Sequence, residues 1–196
     1  SSAVDATTIG GKLELNWKPL EKLNIFSGLD AMHVARDGGR TRIIKIMNGN
    51  MLATPITFND KVWQDSYITD LGVFTEAKYS INPKTIITAG LRYDNVTSDI
   101  QDPEADFEAL YDLKRRTEHN VSGTISIKKR VTNNFTLEAA YGRGVRSANM
   151  IERFINHFTV GQDPYEYVGN PNLKSEVNNQ FEIGFKGKKP LKNGFN

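Results

Sequence analysis

The sequence predicts an all-β chain of long antiparallel up-and-down strands, forming part of a transmembrane β-barrel wall. Three observations carry this. Apolar residues recur at every second position through most of the 196 residues, and helical periodicity is nearly absent. The connections between the alternating runs are short and long in strict turn. Two of the runs extend over about 15 residues, where strands are usually about 5–6. Composition is compatible with this reading. Hydrophobic residues make up 38% and mean hydropathy is −0.47. No apolar run reaches the roughly 18–20 residues of a spanning helix. A membrane strand sets polar residues between its apolar ones and averages out hydrophilic.

Seven strands are expected in chain order. The first starts near Ile9 and carries Leu13, Leu15 and Trp17 on its apolar side. The second follows Leu23, with Ile25, Leu29 and Ala31. The third carries Tyr67, Leu71, Val73, Ala77 and Tyr79, and the fourth Ile87, Ala89, Leu91 and Tyr93. The fifth carries Val121, Ile125 and Ile127, and the sixth Phe135, Leu137, Ala139 and Tyr141. The seventh carries Val177, Phe181, Ile183 and Phe185. Polar or small residues lie between them, as on a two-faced strand. Phe26, Ile68, Phe74 and Ile86 break the alternation.

Residues 18–22, 81–84 and 129–133 have hairpin length and hold Pro or Asn. Residues 38–65, 98–116 and 147–174 are expected as long loops, against a usual length of about 4–6 residues. In a meander this puts every tight turn at one end and every long loop at the other, as in outer-membrane barrels. Lipid cannot hydrogen-bond a bare backbone group, so only closed strand ladders persist there. The apolar face then meets lipid and the polar face a lumen. Trp17, Tyr67, Tyr79, Tyr93, Phe135 and Tyr141 are expected near strand ends as an aromatic girdle. The alternative is a soluble extracellular β-sandwich binding module, for example for carbohydrate, with Trp63, Tyr165 and Tyr167 as stacking platforms. Strand length and the alternation of gap lengths favour the barrel.

Lys and Arg number 25 against 23 Asp and Glu, a net charge of +2. That balance argues against a nucleic-acid partner held through phosphates. The absence of cysteine excludes a disulfide framework, a thiolate zinc site and a cysteine nucleophile. No Gly-x-Ser-x-Gly, His-Glu-x-x-His or phosphate-loop motif occurs, so neither an enzymatic activity nor a cofactor is expected. The acidic stretch DPEADFEALYD (102–112) reads as cover for a solvated loop, with room for a short helix from Glu104 to Leu113. The chain opens on Ser1-Ser2-Ala3 without an apolar signal segment, as a mature or excised segment would.

Two stretches after the sixth strand are more specific. Residues 146–154 read RSANMIERF. Residues 169–176 read GNPNLKSE and run directly into VNNQFEIGFKG (177–187). This resembles the barrel of a TonB-dependent outer-membrane receptor. That family shows an Arg-x-Pro…Glu element at the end of one strand. A long loop follows, then Gly-Asn-Pro-Asp-Leu-Lys-Pro-Glu and a strand with Glu-x-Gly. The matching residues are Arg146, Glu152, Gly169, Asn170, Pro171, Leu173, Lys174, Glu176, Glu182 and Gly184. Ala148, Asn172 and Ser175 depart from the pattern. An Arg146–Glu152 ion pair would orient the strand end, and Asn170-Pro171 would turn the loop back into the wall.

The resemblance implies a barrel of 22 strands, of which residues 1–196 form a partial wall of about seven. The plug domain and the remaining strands lie outside this stretch. It also implies an importer of a scarce nutrient, such as an iron–siderophore or other metal complex, in the outer membrane of a Gram-negative bacterium. Implied partners are membrane lipid, the plug domain of the same full-length chain, and the TonB complex acting through the N-terminal part. The ligand would be a small molecule or metal chelate. Arg146, Glu152, Glu176 and Glu182 are assigned to lumen and plug contacts. Phe154, Phe158, Tyr165 and Tyr167 are assigned to a ligand loop. Met32, His33, Met47, Met51, Met150 and His157 gather toward the long-loop end, and thioether with imidazole suits copper. Apolar loop contacts explain them as well, and no metal site is assigned. Lys188 to Gly194 are expected as a further turn.

Overall fold

The computed structural model describes residues 1–159 and 165–187. The elements are β1 (Ser2–Leu20), β2 (Leu23–Met47), β3 (Asn50–Asn82), β4 (Thr85–Ile100), α1 (Ala105–Leu110), β5 (Arg116–Thr132), β6 (Phe135–Arg146), α2 (Met150–Phe154), β7 (Phe158–Thr159), β8 (Glu166–Tyr167) and β9 (Glu176–Gly187). The expected turn at 188–194 lies outside the described residues.

Seven strands form one antiparallel sheet in the order β1-β2-β3-β4-β5-β6-β9, an up-and-down meander with every connected pair adjacent. Among the described residues β7 and β8 pair with each other, apart from this sheet. The register explains the sequence alternation. Trp17 pairs with Ile25, Ile25 with Ala77, Ala77 with Ala89, Ala89 with Ile125, Ile125 with Tyr141 and Tyr141 with Phe181. Along these central ladders odd residues therefore face odd residues, and the apolar positions of all seven strands merge into one surface. That surface is bare: Leu13 is 66% exposed, Ile183 70% and Phe185 79%. No second sheet packs on it among the described residues, and the sandwich alternative fails on this point.

The interruptions in the pattern belong to the other face. Phe26 and Phe74, both even, meet with ring centroids 5.6 Å apart. Lys12 and Arg92 lie over the Phe74 ring at 5.3 and 5.8 Å. They are packing units within an otherwise polar wall.

Two expectations about the elements need correction. Residues 38–65 are not a loop. β2 and β3 run on as a ribbon and turn at Asn48 (φ 51°) and Gly49 (φ 79°), the two positive φ values of a tight hairpin. The Asn-Gly pair that marks this turn stands in the sequence. The alternation around it is lost because register shifts fall between Arg36 and Gly38, Gly38 and Arg40, and Ile44 and Ile46. Each shift inserts extra β3 residues and changes its phase. Trp17, Tyr79 and Phe135 do lie beside tight turns, whereas Tyr67, Tyr93 and Tyr141 lie within their strands, which extend past them. The residues around 98–116 and 147–174 do form long connections, and they carry α1, α2, β7 and β8. The acidic stretch contains a helix shorter than allowed for, Ala105–Leu110.

The compact core is small and lies at the long-loop end. Val62, Val96, Phe107, Ala148, Met150, Phe154 and Ile155 are its buried apolar residues. They come from β3, β4 and the two long connections. The loops therefore fold inward against the polar face.

Candidate functional site

The connection from β6 to β9 builds the site. Asn149 caps α2 reciprocally with Glu152: Glu152 N donates to Asn149 Oδ1 at 3.0 Å, and Asn149 N donates to Glu152 Oε2 at 2.7 Å. The same Glu152 receives both guanidinium arms of Arg146, at 2.9 and 3.0 Å. Arg146 also donates to Glu176 Oε2 from Nε at 3.2 Å and from Nη2 at 3.0 Å. One arginine at the end of β6 thus joins the loop's exit, its helix and its re-entry strand. The Arg146 hydrogen bond, followed by that of the Asn149 backbone, holds the Glu152 carboxyl below its usual range.

The deepest residue of the site lies within the RSANMIERF stretch but is not among the residues that sequence reading singles out. Arg153 is fully buried. Its Nε donates to Ala148 O at 3.1 Å, and Nη1 to Pro171 O at 3.0 Å and Leu173 O at 3.2 Å. Nη2 pairs with Glu118 of β5. The guanidinium therefore ties both limbs of the loop to the wall. An arginine between Glu152 and Phe154 looks like a solvated helix residue, so its sequence neighbours give no sign of this role.

The GNPNLKSE segment is folded around the same point. Gly169 N donates to Ile155 O at 2.7 Å and Asn170 N to Glu152 O at 2.8 Å. A Cβ at Gly169 would lie 2.6 Å from the Arg153 carbonyl carbon, so only glycine permits this approach. Asn170 Oδ1 accepts from Asn172 N at 2.9 Å and Asn170 O from Leu173 N at 3.3 Å, closing the turn. Lys174 is exposed. The departures from the family pattern find local uses. Ala148 is buried, Asn172 accepts from Arg116 at 2.8 Å, and Ser175 donates to Glu118 at 3.1 Å.

Gln64 and the neighbouring backbone of β3 complete the attachment. Gln64 Nε2 donates to Phe154 O at 2.9 Å, and Gln64 Oε1 accepts from Glu104 N at 2.9 Å. Asn156 N donates to Val62 O at 3.0 Å, and Trp63 forms a bridge with Ile155. Trp63 also lies under Arg36, 4.8 Å from the guanidinium carbon, so it is a packing residue.

Between α2 and the polar face is a cavity of about 460 Å³, lined by Met32, Asp70, Asp94, Asn120, Arg146 and Met150 among others. Arg92 at its edge donates to Asp30 at 2.7 and 2.9 Å and to Asp94 at 3.1 Å. The cavity combines two carboxylates, the amides of Asn120 and Asn149, two thioethers and the three guanidinium groups of Arg36, Arg92 and Arg146. It can hold a polar ligand with an apolar part by hydrogen bonds and contact.

The remaining predicted site residues are divided. Glu182 is on the polar face, exposed, opposite Ala140. Phe154 is turned into the core, 3% exposed, and is unavailable for stacking. Phe158 is half-buried, whereas Tyr165 and Tyr167 are exposed. Met32 and Met150 line the same cavity, and Met150 Sδ accepts from Ser66 at 3.1 Å. The other four are elsewhere. His33 is on the apolar side against Tyr67 and Thr69. Met47 and Met51 flank the hairpin tip. His157 lies between Asp106 and Glu166.

Residues 4–196 match the family described as TonB dependent receptor-like, beta-barrel. Among solved structures, the chain is similar to one titled "Copper transporter OprC", with a TM-score of 0.71 and 18% sequence identity. The match covers 96% of this chain and 29% of that one, so the chain spans less than a third of its neighbour's length. At this identity the likeness is one of fold. No curated protein matches.

Proposed function

The chain belongs to the TonB-dependent receptor β-barrel family, and on that premise we propose that it forms wall and mouth of an outer-membrane importer. The parent barrel has 22 strands around a plug domain, and this chain supplies seven of them. A scarce nutrient binds at the long-loop side, as an iron–siderophore or another metal complex. It passes through the lumen when the TonB complex acts on the plug. Arg146, Glu152, Glu176 and Glu182 present charge to that plug. The chain's work is binding and passage, not bond making.

The observation that carries this reading is the inward fold of the β6–β9 connection onto the polar face. It fastens the connection to β3 on that face and leaves a cavity under α2, while the opposite face stays apolar and bare. Copper as cargo is the second reading. Met32 and Met150 bring two thioethers to one cavity, and soft sulfur ligands suit Cu(I).

Uptake by the full-length receptor in intact cells tests both. Replacing residues 150–158 by a short Gly-Ser linker is expected to abolish uptake of the cognate metal complex while the barrel still inserts. A variant that keeps full uptake would remove the loop from the mechanism. A Met32→Leu, Met150→Leu double variant separates the cargoes: loss of copper uptake supports the second reading, and loss of neither sinks it.

A further inference from the structure

His157 follows directly on the point where the β6–β9 connection is fastened to β3. Its ring lies between carboxylates of two different segments. Nδ1 is 3.0 Å from Glu166 Oε2 of β8, and Nε2 is 2.5 Å from Asp106 Oδ2 of α1. A neutral imidazole has one N–H and one lone pair. It would donate to one carboxylate and turn its lone pair on the other. The imidazolium has two N–H groups and satisfies both, so this geometry is that of the charged ring. We propose that protonated His157 is a pH-operated clasp, fastening the connection that carries α1 to the connection that carries α2 across the mouth.

The surroundings fit a charge switch. Asp106 faces the ring from α1 and Glu166 from β8. Behind Glu166 stand Arg40 and Arg42 of β2, at 3.1 and 3.0 Å from Oε1. Both arginines also pair with Asp60 of β3, at 3.0 and 2.6 Å. With the ring charged, His157, Arg40 and Arg42 balance Asp60, Asp106 and Glu166. Loss of the proton leaves one net negative charge and sets a lone pair against a carboxylate. Next to the ring, Asn156 Nδ2 also donates to Asp106 Oδ1 at 3.3 Å. The backbone at His157 is left-handed (φ 49°), a conformation that a non-glycine residue seldom holds without such fixation.

The direction of the switch follows from linkage. Burial opposes the charged ring, but the hydrogen bonds to Asp106 and Glu166 and their charges outweigh it, so His157 titrates above its ordinary 6.5. A raised pKa in the fastened state makes fastening complete below 6.5 and lost as pH rises through the raised value. The His157 hydrogen bond also holds the Asp106 carboxyl below its ordinary range, which delays acid release until pH falls well under that range. The clasp is therefore shut below pH 6.5 and opens as pH rises through the raised value.

Amide hydrogen exchange on the full-length receptor in detergent micelles tests this, corrected for the intrinsic pH dependence of exchange. Peptides covering 104–113 and 150–159 are followed between pH 5.5 and 8.5. Loss of one charge-assisted hydrogen bond predicts that wild-type protection falls about tenfold across the step. His157→Gln is expected to be flat and low at every pH. Asp106→Asn is expected to move the step to lower pH. Peptides from β5 and β6 report whether each variant is folded. A wild-type profile without a step, or a His157→Gln profile that keeps it, overturns the clasp. The test involves no cargo, so its outcome is separate from that of the import reading.

Discussion

At the scale of single residues, the site divides into a buried charge and an exposed one, and they predict opposite behaviour. Arg153 has no contact with solvent and serves three carbonyls and Glu118. Removing one partner of such a group strands the others, at about 3–5 kcal/mol. Arg153→Met is therefore expected to free residues 147–175 from the wall, seen as rapid proteolysis there with the strands intact. Arg146 is half exposed, where solvent screens ion pairs and they contribute little to stability. Arg146→Ala should leave the melting temperature of the full-length receptor nearly unchanged. If Arg146 contacts the plug, the same variant loses uptake. A large loss of stability would show it to be a structural residue instead. Sequence reading found Arg146 and Glu152 because they match the Arg-x-Pro…Glu element of the family that the sequence resembles. It passed over Arg153, whose importance comes from carbonyls brought together only by the folded loop.

At the scale of elements, legibility follows phase. A strand that keeps period two throughout, such as β6, can be read directly, because its apolar residues Phe135, Leu137, Ala139 and Tyr141 all lie on one face across both ladders. The β2–β3 ribbon cannot, since its register shifts change which residues face inward. Its charged belt of Arg40, Arg42 and Asp60 was hidden within what looked like a loop for the same reason. The Asp60 carboxyl is held low first by Arg42, against burial, and then by Arg40. Gly49 at the tip adopts φ 79°, which costs an L-residue about 1–2 kcal/mol. Gly49→Val is thus expected to fray the tip, raising hydrogen exchange in residues 44–56 while leaving β4–β6 unchanged. An unchanged exchange pattern would show that contacts beyond the turn hold the ribbon.

At the scale of the whole molecule, the sheet has a bare apolar side and a polar side onto which the long connections fold at one end, the reverse of a water-soluble domain. Leu91 shows the consequence. It lies midway along the apolar band of β4, is 57% exposed, and neighbours Thr75 and Gly123. In water an arginine there would be harmless and would aid solubility. In lipid, arginine near the bilayer midplane costs about 2–4 kcal/mol. Ser126 sits on the opposite face, between Thr88 and Ala140, where an added cation meets the polar wall. The full-length receptor carrying Leu91→Arg is therefore expected to unfold from lipid vesicles at lower urea concentration, while Ser126→Arg behaves almost as wild type. The pair compares one charge on two faces of the same wall, so chain expression and the charge itself cancel. If Leu91→Arg left stability in vesicles untouched, the apolar band would not be facing hydrocarbon, and the membrane role derived from it would fall.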